Sequence, residues 1–245
     1  MRLALISDIH GNLPALEAVV HDFSRRGVDA VINLGDSLSG PLLPLETAQY
    51  LMAQNWLQLA GNHERQLLSA QTEAMGLSDR YARAQLTRTE LQWITSLKPT
   101  AHYAADIFLC HGTPASDTEY FLDSLMDDRL RMATPVEIEQ RRGSMDSALI
   151  ACGHTHIPRL MRTAQGQLLV NPGSVGLPAY DDIHPHFHVV ETGSPDARYA
   201  IVERINGVWQ GMLLAVPYDY RPMAQLAAER GRAEWACALS SGYLK

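Results

Sequence analysis

Cysteine is scarce in this sequence, and its scarcity excludes a fold held together by disulfide bonds. The 245 residues include three cysteines, Cys110, Cys152 and Cys237. An odd number of widely spaced cysteines suits a reducing compartment. The first apolar run stops at Ser7 and Asp8, too soon for a secretory signal. Together these absences predict a cytoplasmic protein.

A basic stripe, long apolar runs and nucleotide-binding loops are also missing. The formal net charge is −7 and no basic stripe occurs, which disfavours duplex nucleic acid as a partner. The longest apolar runs have the length of strands, so no membrane partner is expected. No GxGxxG or GxxxxGK[ST] pattern follows a strand, which disfavours a nucleotide-binding module. Linkers and repeats are absent too, so we expect a single domain over residues 1–245, with residues 217–245 as a C-terminal helical extension.

Short apolar runs alternate with helical patterns along the first 156 residues, which predicts an α/β fold with a largely parallel sheet. LALI near the N-terminus precedes a helix pattern with Asn12 as its candidate cap and Pro14 in its first turn. Residues 78–97 read as one helix closed by Pro99, and TPVE at residues 134–137 has the spacing of a capping box. After residue 156, strands separated by turns predict an antiparallel layer. The tail then reads as one or two helices.

A polar motif follows each of five predicted strands. The motifs are DIHGN at 8–12, GD at 35–36, GNHE at 61–64, HG at 111–112 and GHTH at 153–156. Because the carboxyl ends of parallel strands face one crevice, these side chains should converge. Asp, Asn and His provide the oxygen and nitrogen donors that divalent metals bind. The five motifs therefore predict a metal site at the strand ends.

The five motifs, in this order, resemble the signature of the calcineurin-like metallophosphoesterases. The likeness continues through NPGSVGLP at 171–178 and VPYD at 216–219 to small bacterial-type phosphoesterases of that superfamily. It implies a four-layer αββα sandwich, in which two mixed sheets are flanked by helices and a dimetal site lies at the strand C-terminal ends. It also implies two divalent cations, with Mn²⁺ favoured and Fe, Zn, Ni or Co as alternatives.

The resemblance implies a role for each residue of the motifs. One metal would be held by Asp8, His10, Asp36 and His156. The other would be held by Asp36, Asn62, His111 and His154, so that Asp36 bridges the pair. His63 would stand beside the leaving group as a catalytic acid, and Asn62, His63 and, more weakly, Asn12 would contact the substrate. A hydroxide shared by the metals would attack phosphorus.

The substrate implied is a small-molecule phosphodiester or phosphomonoester, with the diester slightly favoured. The protein phosphatases of the superfamily carry an Asp-Arg-Gly after their Gly-Asp, whereas this chain has GDSLSGP. A protein or nucleotide phosphatase, such as a dinucleoside polyphosphate hydrolase, is the alternative enzyme. A metal-binding scaffold without catalysis is the alternative from another class.

Simpler interpretations remain for individual residues. Asp8 or Asn62 could cap a helix, His10 could be a loop histidine, and Glu64 could serve a helix's first turn. Cys110 should point away from His111 into the core, and Cys152 should also be buried. HPHFH would place His184, His186 and His188 on one strand face, as metal ligands or as a polar surface. The loop at 171–178 should be a turn near the site, with Asn171 and Ser174 as possible contacts.

Overall fold

The computed structural model describes residues 1–71 and 75–245, and its first sheet contains the N-terminal strand. The strands of this sheet are β1 (Arg2–Ile6), β2 (Ala30–Asn33), β3 (Leu57–Gln58), β13 (Ala197–Ile205) and β14 (Val208–Val216). Their order is β14-β13-β1-β2-β3. β1, β2 and β3 are parallel, whereas β13 runs antiparallel to β1 and to β14. The sheet is therefore mixed.

A second sheet of five strands has the order β4-β5-β8-β10-β9. Its strands are β4 (Thr100–Tyr103), β5 (Ile107–Cys110), β8 (Leu149–Ala151), β9 (Arg159–Arg162) and β10 (Leu168–Asn171). β5, β8 and β10 are parallel, and both edge strands are antiparallel to their neighbours. Two hairpins lie outside the sheets: β6 (Asp123–Met126) with β7 (Arg129–Met132), and β11 (Ala179–Asp182) with β12 (His188–Glu191).

Eight helices are described, and three of them, α1, α5 and α6, begin at a side-chain cap. They are α1 (Leu13–Arg26), α2 (Pro44–Met52), α3 (Asn62–Leu67), α4 (Leu77–Gln85), α5 (Arg88–Ser96), α6 (Pro135–Arg142), α7 (Arg221–Glu229) and α8 (Ala233–Ser241). The predicted cap of α1 is confirmed, because Asn12 Oδ1 accepts a hydrogen bond from the Ala15 N–H at 3.3 Å. The capping box of Thr134 and Glu137 at α6 is also confirmed.

The two sheets face each other across an apolar core, which gives the predicted four layers. Leu3, Leu5 and Ile32 of the first sheet pack there against Leu109 and Leu149 of the second. The outer face of the first sheet is covered by α1, α2, α4 and α5. The outer face of the second is covered by α6 and the segment leading into the β6–β7 hairpin. The αββα architecture with two mixed sheets is confirmed.

Two details of the predicted elements are wrong. The helix expected over residues 78–97 is two helices, because Leu86 has an extended backbone and Thr87 caps α5 together with Glu90. The strands after residue 156 do not form a separate antiparallel layer. β9 and β10 complete the second sheet and β13 and β14 complete the first, because each sheet has an open edge beside its parallel strands.

The C-terminal helices α7 and α8 pack on the loops at the strand ends. Trp235, Ala238 and Leu239 of α8 bury their side chains with Leu42 and Leu177 from those loops. The tail from residue 217 thus contributes to the surroundings of the polar motifs. Within the residues that the structure describes, no helix is both long and apolar enough to cross a membrane.

Candidate metal centre

The polar motifs meet at one edge of the two sheets, where the parallel strands end. Asp8 follows β1, Asp36 follows β2 and His111 follows β5. The turn at residues 153–156 follows β8, and Asn62 is the first residue of α3. The convergence expected from the strand pattern is therefore present, although the motifs are up to 148 positions apart in the sequence.

The backbone bends sharply at the candidate ligands themselves. Positive φ angles occur at Asp8 (56°), His10 (53°), Asp36 (54°), His154 (70°) and His156 (57°). Non-glycine residues rarely adopt this conformation, which costs about 1–3 kcal/mol and concentrates at functional sites. Gly61 allows the turn before α3 to approach the turn at Asp36 closely, since a Cβ on Gly61 would collide with the Asp36 carboxylate. Packing around this edge therefore holds a strained backbone in place.

The candidate ligand atoms form two groups. One contains Asp8, His10 and His156, the other contains Asp36, His111 and His154, and within each group the atoms lie within 4.8 Å of one another. His10 Nε2 is 3.1 Å from His156 Nε2, and His111 Nε2 is 2.9 Å from Asp36 Oδ2. Ligands about 2.1 Å from one cation lie roughly 3 Å apart, so these spacings suit metal binding.

Each histidine of the centre has one ring nitrogen fixed by a backbone carbonyl. The Nδ1 pairs are His10 with Ser39 O at 2.7 Å, His111 with Leu34 O at 2.9 Å and His156 with Leu177 O at 2.7 Å. Donation from Nδ1 leaves Nε2 with its lone pair for a cation. His154 is reversed, because its Nε2 lies 3.1 Å from Thr118 O and Nδ1 is left for the centre.

Three buried atoms of the centre make no regular hydrogen bond within the described residues, although His111 Nε2 lies 2.9 Å from Asp36 Oδ2 and Asp8 Oδ1 lies 3.3 Å from His156 Nε2. They are Asp8 Oδ1, Asn62 Oδ1 and His111 Nε2. An unsatisfied buried polar atom costs about 1–3 kcal/mol, and more when it is charged. A divalent cation would satisfy all three, and carboxylate, amide and imidazole donors suit Mn, Fe, Zn, Co and Ni alike. The residues present therefore fit a metal centre.

The electrostatics of the centre keep its carboxylates ionised. Burial acts to raise the pKa of Asp8, but His156 and His111 lower it to about 2. Burial also opposes ionisation of Asp36, yet His111 and His63 hold its pKa well below the usual value. Burial lowers the pKa of His10 to about 3, which leaves a neutral imidazole. Ionised carboxylates and a neutral imidazole are the states that bind metals.

His63 differs from the other histidines because it is held by a carboxylate. Its Nδ1 lies 2.8 Å from Oδ1 of Asp79, a residue of α4 that is 5% exposed. Burial acts to lower the pKa of His63, but Asp36 and Asp79 raise it to about 9. The side chain is 27% exposed and lines the cavity beside the centre. The Asp36 and Asp79 carboxylates therefore favour the protonated form of His63, and its Nε2 makes no hydrogen bond to another described residue.

The family model for the calcineurin-like phosphoesterase superfamily domain matches residues 1–194. The chain belongs to the calcineurin-like phosphoesterase superfamily. A crystal structure of a metallophosphoesterase from Sphaerobacter thermophilus is 26% identical, with a TM-score of 0.76 and 99% of both chains covered. Thus the predicted family is confirmed, and the match extends over the full length of a solved metallophosphoesterase.

Two archaeal proteins are also similar to the present chain. The uncharacterized protein MJ0912 of Methanocaldococcus jannaschii is 27% identical over 203 residues, which are 72% of this chain and 76% of that protein. The hypothetical protein PH1004 of Pyrococcus horikoshii is 17% identical, with a TM-score of 0.74 and 98% of both chains covered, and it shares the fold.

Asn12 makes its hydrogen bonds to α1, to the loop at 171–178 and to Tyr218. Its Nδ2 donates to Gly176 O and to the Tyr218 hydroxyl, both at 2.9 Å, while Oδ1 caps α1. Both N–H groups of its amide donate within the protein, which gives Asn12 a structural role, and the weakly predicted substrate contact stays a prediction. The loop at 171–178 is likewise structural: Ser174 Oγ donates to Asp8 O at 2.7 Å, and Asn171 Nδ2 donates to Gly153 O at 2.7 Å.

The histidines of HPHFH do not share one strand face, because β12 begins only at His188. His184 and His186 are exposed in the turn before it, and His188 is buried with Nε2 2.7 Å from the Tyr120 hydroxyl. Within the described residues, none of the three belongs to a group that could hold a metal. Cys110 and Cys152 are buried in the outer core of the second sheet, as predicted.

Two carboxylates of the site escaped the sequence analysis. Asp79 was missed altogether. Glu64 was considered only for a helix's first turn, but its carboxylate accepts the N–H groups of Asp36, Ser37 and Gly61, each at 2.8 Å. It therefore ties the loop after β2 to the start of α3. Glu64 is the fourth residue of the GNHE motif, so the motif itself could have drawn attention to it. The spacing within the motif cannot show that its carboxylate reaches the loop after β2.

Proposed function

We propose that this chain is a dinuclear metal-dependent phosphoesterase that hydrolyses a small phosphodiester or phosphomonoester. The observation that carries the proposal is that both ligand groups contribute side chains to one cavity, where His63 is held beside them by Asp79. Membership of a phosphoesterase superfamily supports the same reaction class. The substrate is proposed to be a small molecule and the location cytoplasmic.

The proposed ligands divide between two sites. Asp8, His10, Asp36 and His156 would hold one cation, with Asn62, His111 and His154 completing the second around the shared Asp36. Manganese is the first choice, with iron, zinc, nickel or cobalt as alternatives. When bound, the two cations would activate water and neutralise the charge of the phosphoryl group.

The chain's own residues orient the reacting groups. His63, protonated and held at Nδ1 by Asp79, would donate from Nε2 to the departing alkoxide. The Asp36 carboxylate fixes the position of this residue as well, since its Oδ1 accepts the His63 N–H at 2.9 Å. The same short segment thus links the proposed bridging ligand to the proposed acid.

The loop after Asp36 supports a small ester over a phosphoprotein. It contains buried Ser37 and Ser39 in place of an arginine that could clamp a phosphate. A protein phosphatase would need that cation for its substrate, so we rank a diester first, a monoester second and a phosphoprotein last.

Metal analysis combined with paired assays tests the proposed function. The purified protein, loaded with manganese, should hydrolyse bis(p-nitrophenyl) phosphate, p-nitrophenyl phosphate or both, and chelation should abolish turnover. Asp36→Asn should lose activity on both esters, whereas Asp146→Asn, an exposed acid remote from the cavity, should retain it. Metal binding without turnover of any phosphoester would instead support the scaffold alternative.

A further inference from the structure

The cavity over the candidate metal centre is much larger than a phosphoryl group. Its volume is about 870 Å³, and it extends from the centre to α3, α4, the β11–β12 connection and α8. Cavities of about 300–1,000 Å³ hold whole organic ligands. Trp235, Leu177 and Ile183 give its walls an apolar part. The cavity therefore has room for a substantial organic group attached to the reacting phosphate.

The two arginines that line this cavity are already neutralised by carboxylates. Arg65 makes a bidentate pair with Asp117, with Nε–Oδ2 and Nη2–Oδ1 distances of 2.6 and 2.9 Å. Arg232 Nε lies 2.5 Å from Glu234 Oε1, and Arg232 Nη2 donates to Ser78 Oγ at 3.1 Å. No lysine lines the cavity in the part of the chain that the structure describes. Away from His63, the walls offer no arginine or lysine without a carboxylate partner.

Two acids that line the cavity have no cationic partner among the described residues. Asp181 and Asp182 end β11, line the cavity and form no ion pair there, although Asp182 Oδ1 accepts the His184 N–H at 2.9 Å. They directly follow Tyr180, whose ring centroid is 4.6 Å from that of His156. The uncompensated negative charge therefore lines the same cavity as the proposed ligand His156.

We propose that Asp181 and Asp182 determine substrate specificity by rejecting substrates with a second phosphate group. The inference rests on the proposed function and narrows it to esters with one phosphoryl group and an uncharged or cationic organic part. A second phosphate in the cavity would face two carboxylates and find no free arginine or lysine, and such like-charge contacts weaken binding. Nucleoside polyphosphates and dinucleoside polyphosphates are thereby disfavoured.

A matched pair of probes tests this specificity. Thymidine 5′-(p-nitrophenyl phosphate) and its 3′-phosphorylated form release the same nitrophenolate and differ by one remote phosphate. In the manganese-loaded protein, we expect kcat/KM to be about five- to tenfold lower for the 3′-phosphorylated probe. The double variant Asp181→Asn/Asp182→Asn should remove most of that difference. Calorimetric Kd values for non-hydrolysable phosphonate analogues of the two probes should show the same ratio whether or not the protein turns over the esters.

An adjacent pair of exposed acids outside the cavity provides the control. Asp127→Asn/Asp128→Asn removes the same charge from the β6–β7 turn and should leave the wild-type ratio unchanged. Equal or tighter binding of the 3′-phosphorylated probe to the wild type would overturn the proposal, as would a ratio unaffected by the cavity variant. Because binding is measured separately, loss of turnover alone would count against the proposed function and not against this specificity.

Discussion

At the scale of single residues, His63 separates an enzyme from a metal-binding scaffold. Its ring is held by Asp79 and is not a member of either ligand group. His63→Ala should therefore retain both metals and the fold while kcat falls by roughly 10²- to 10⁴-fold, as expected for loss of a general acid. Esters of high-pKa alcohols should lose most activity and nitrophenyl esters least. Rates across a leaving-group series, with metal content and melting temperature, check this.

The exposed His21 of α1 provides the matched control for that substitution. His21→Ala should resemble the wild type across the whole series. A uniform small loss for His63→Ala, accompanied by metal release, would make His63 a ligand and not an acid.

Asp79 should influence the pH dependence of the same step. Because its carboxylate raises the pKa of His63, Asp79→Asn should lower that pKa. The acid form would then be lost at lower pH, so the alkaline fall in kcat for alkyl esters should begin at lower pH than in the wild type. If kcat of Asp79→Asn fell at the same alkaline pH as kcat of the wild type, Asp79 would have no part in the protonation of His63.

Asp36 and Asp8 should differ in how many metals they control. Asp36 is the proposed bridge, so Asp36→Asn should weaken both metal sites together, whereas Asp8→Asn should weaken mainly one. Manganese stoichiometry and affinity measured by calorimetry distinguish the two variants. If each variant lost one metal site and kept the other intact, Asp36 would not be the bridging ligand.

The sequence predicted the residues of the centre better than the residues that position them. Asp8, Asp36 and His111 follow strands of a parallel pattern, so their meeting is a consequence of topology. Asp79 lies on a helix 16 positions after His63 and carries no local motif. Asn12 caps a helix and also approaches the loop at 171–178. Side-chain partners of this kind depend on long-range packing, which spacing alone cannot predict.

At the scale of elements, α8 fastens the C-terminal tail to the loops of the centre. Trp235 is 6% exposed, packs against Gly40 and lies 6.0 Å from His10 between ring centroids. Trp235→Ala should lower the free energy of unfolding by about 3–5 kcal/mol, because a large buried side chain is lost. Denaturant unfolding measures this. Val136→Ala at an exposed position should change little, and an unaffected Trp235→Ala would mean that α8 is not docked in solution.

The strands were predicted more accurately than their arrangement. Runs such as IFLC and ALIAC are strands because both of their faces are buried. The division of residues 78–97 at Leu86 depends on the capping box of Thr87 and Glu90, a local signal that the helical periodicity concealed. The distribution of the late strands between two sheets depends on which edges are open, and hydrophobic alternation carries no information about edges.

At the scale of the whole molecule, two mixed sheets direct the ends of their parallel strands to one crevice. β1, β2 and β3 bring the aspartate and asparagine motifs there, and β5 and β8 bring the histidines. The net charge of −7 makes the bulk surface unattractive to anions, so attraction of a phosphate ester is left to the centre itself. Hydrolysis of phosphate esters is therefore expected to require two cations at this crevice.

A titration of the metal-free protein with manganese tests whether hydrolysis requires two cations. Hydrolysis of bis(p-nitrophenyl) phosphate is followed while bound manganese per chain is measured in the same samples. We predict that turnover is absent without metal and reaches its plateau when two ions are bound per chain. A plateau at one ion, or turnover that is independent of bound metal, would contradict a dinuclear centre.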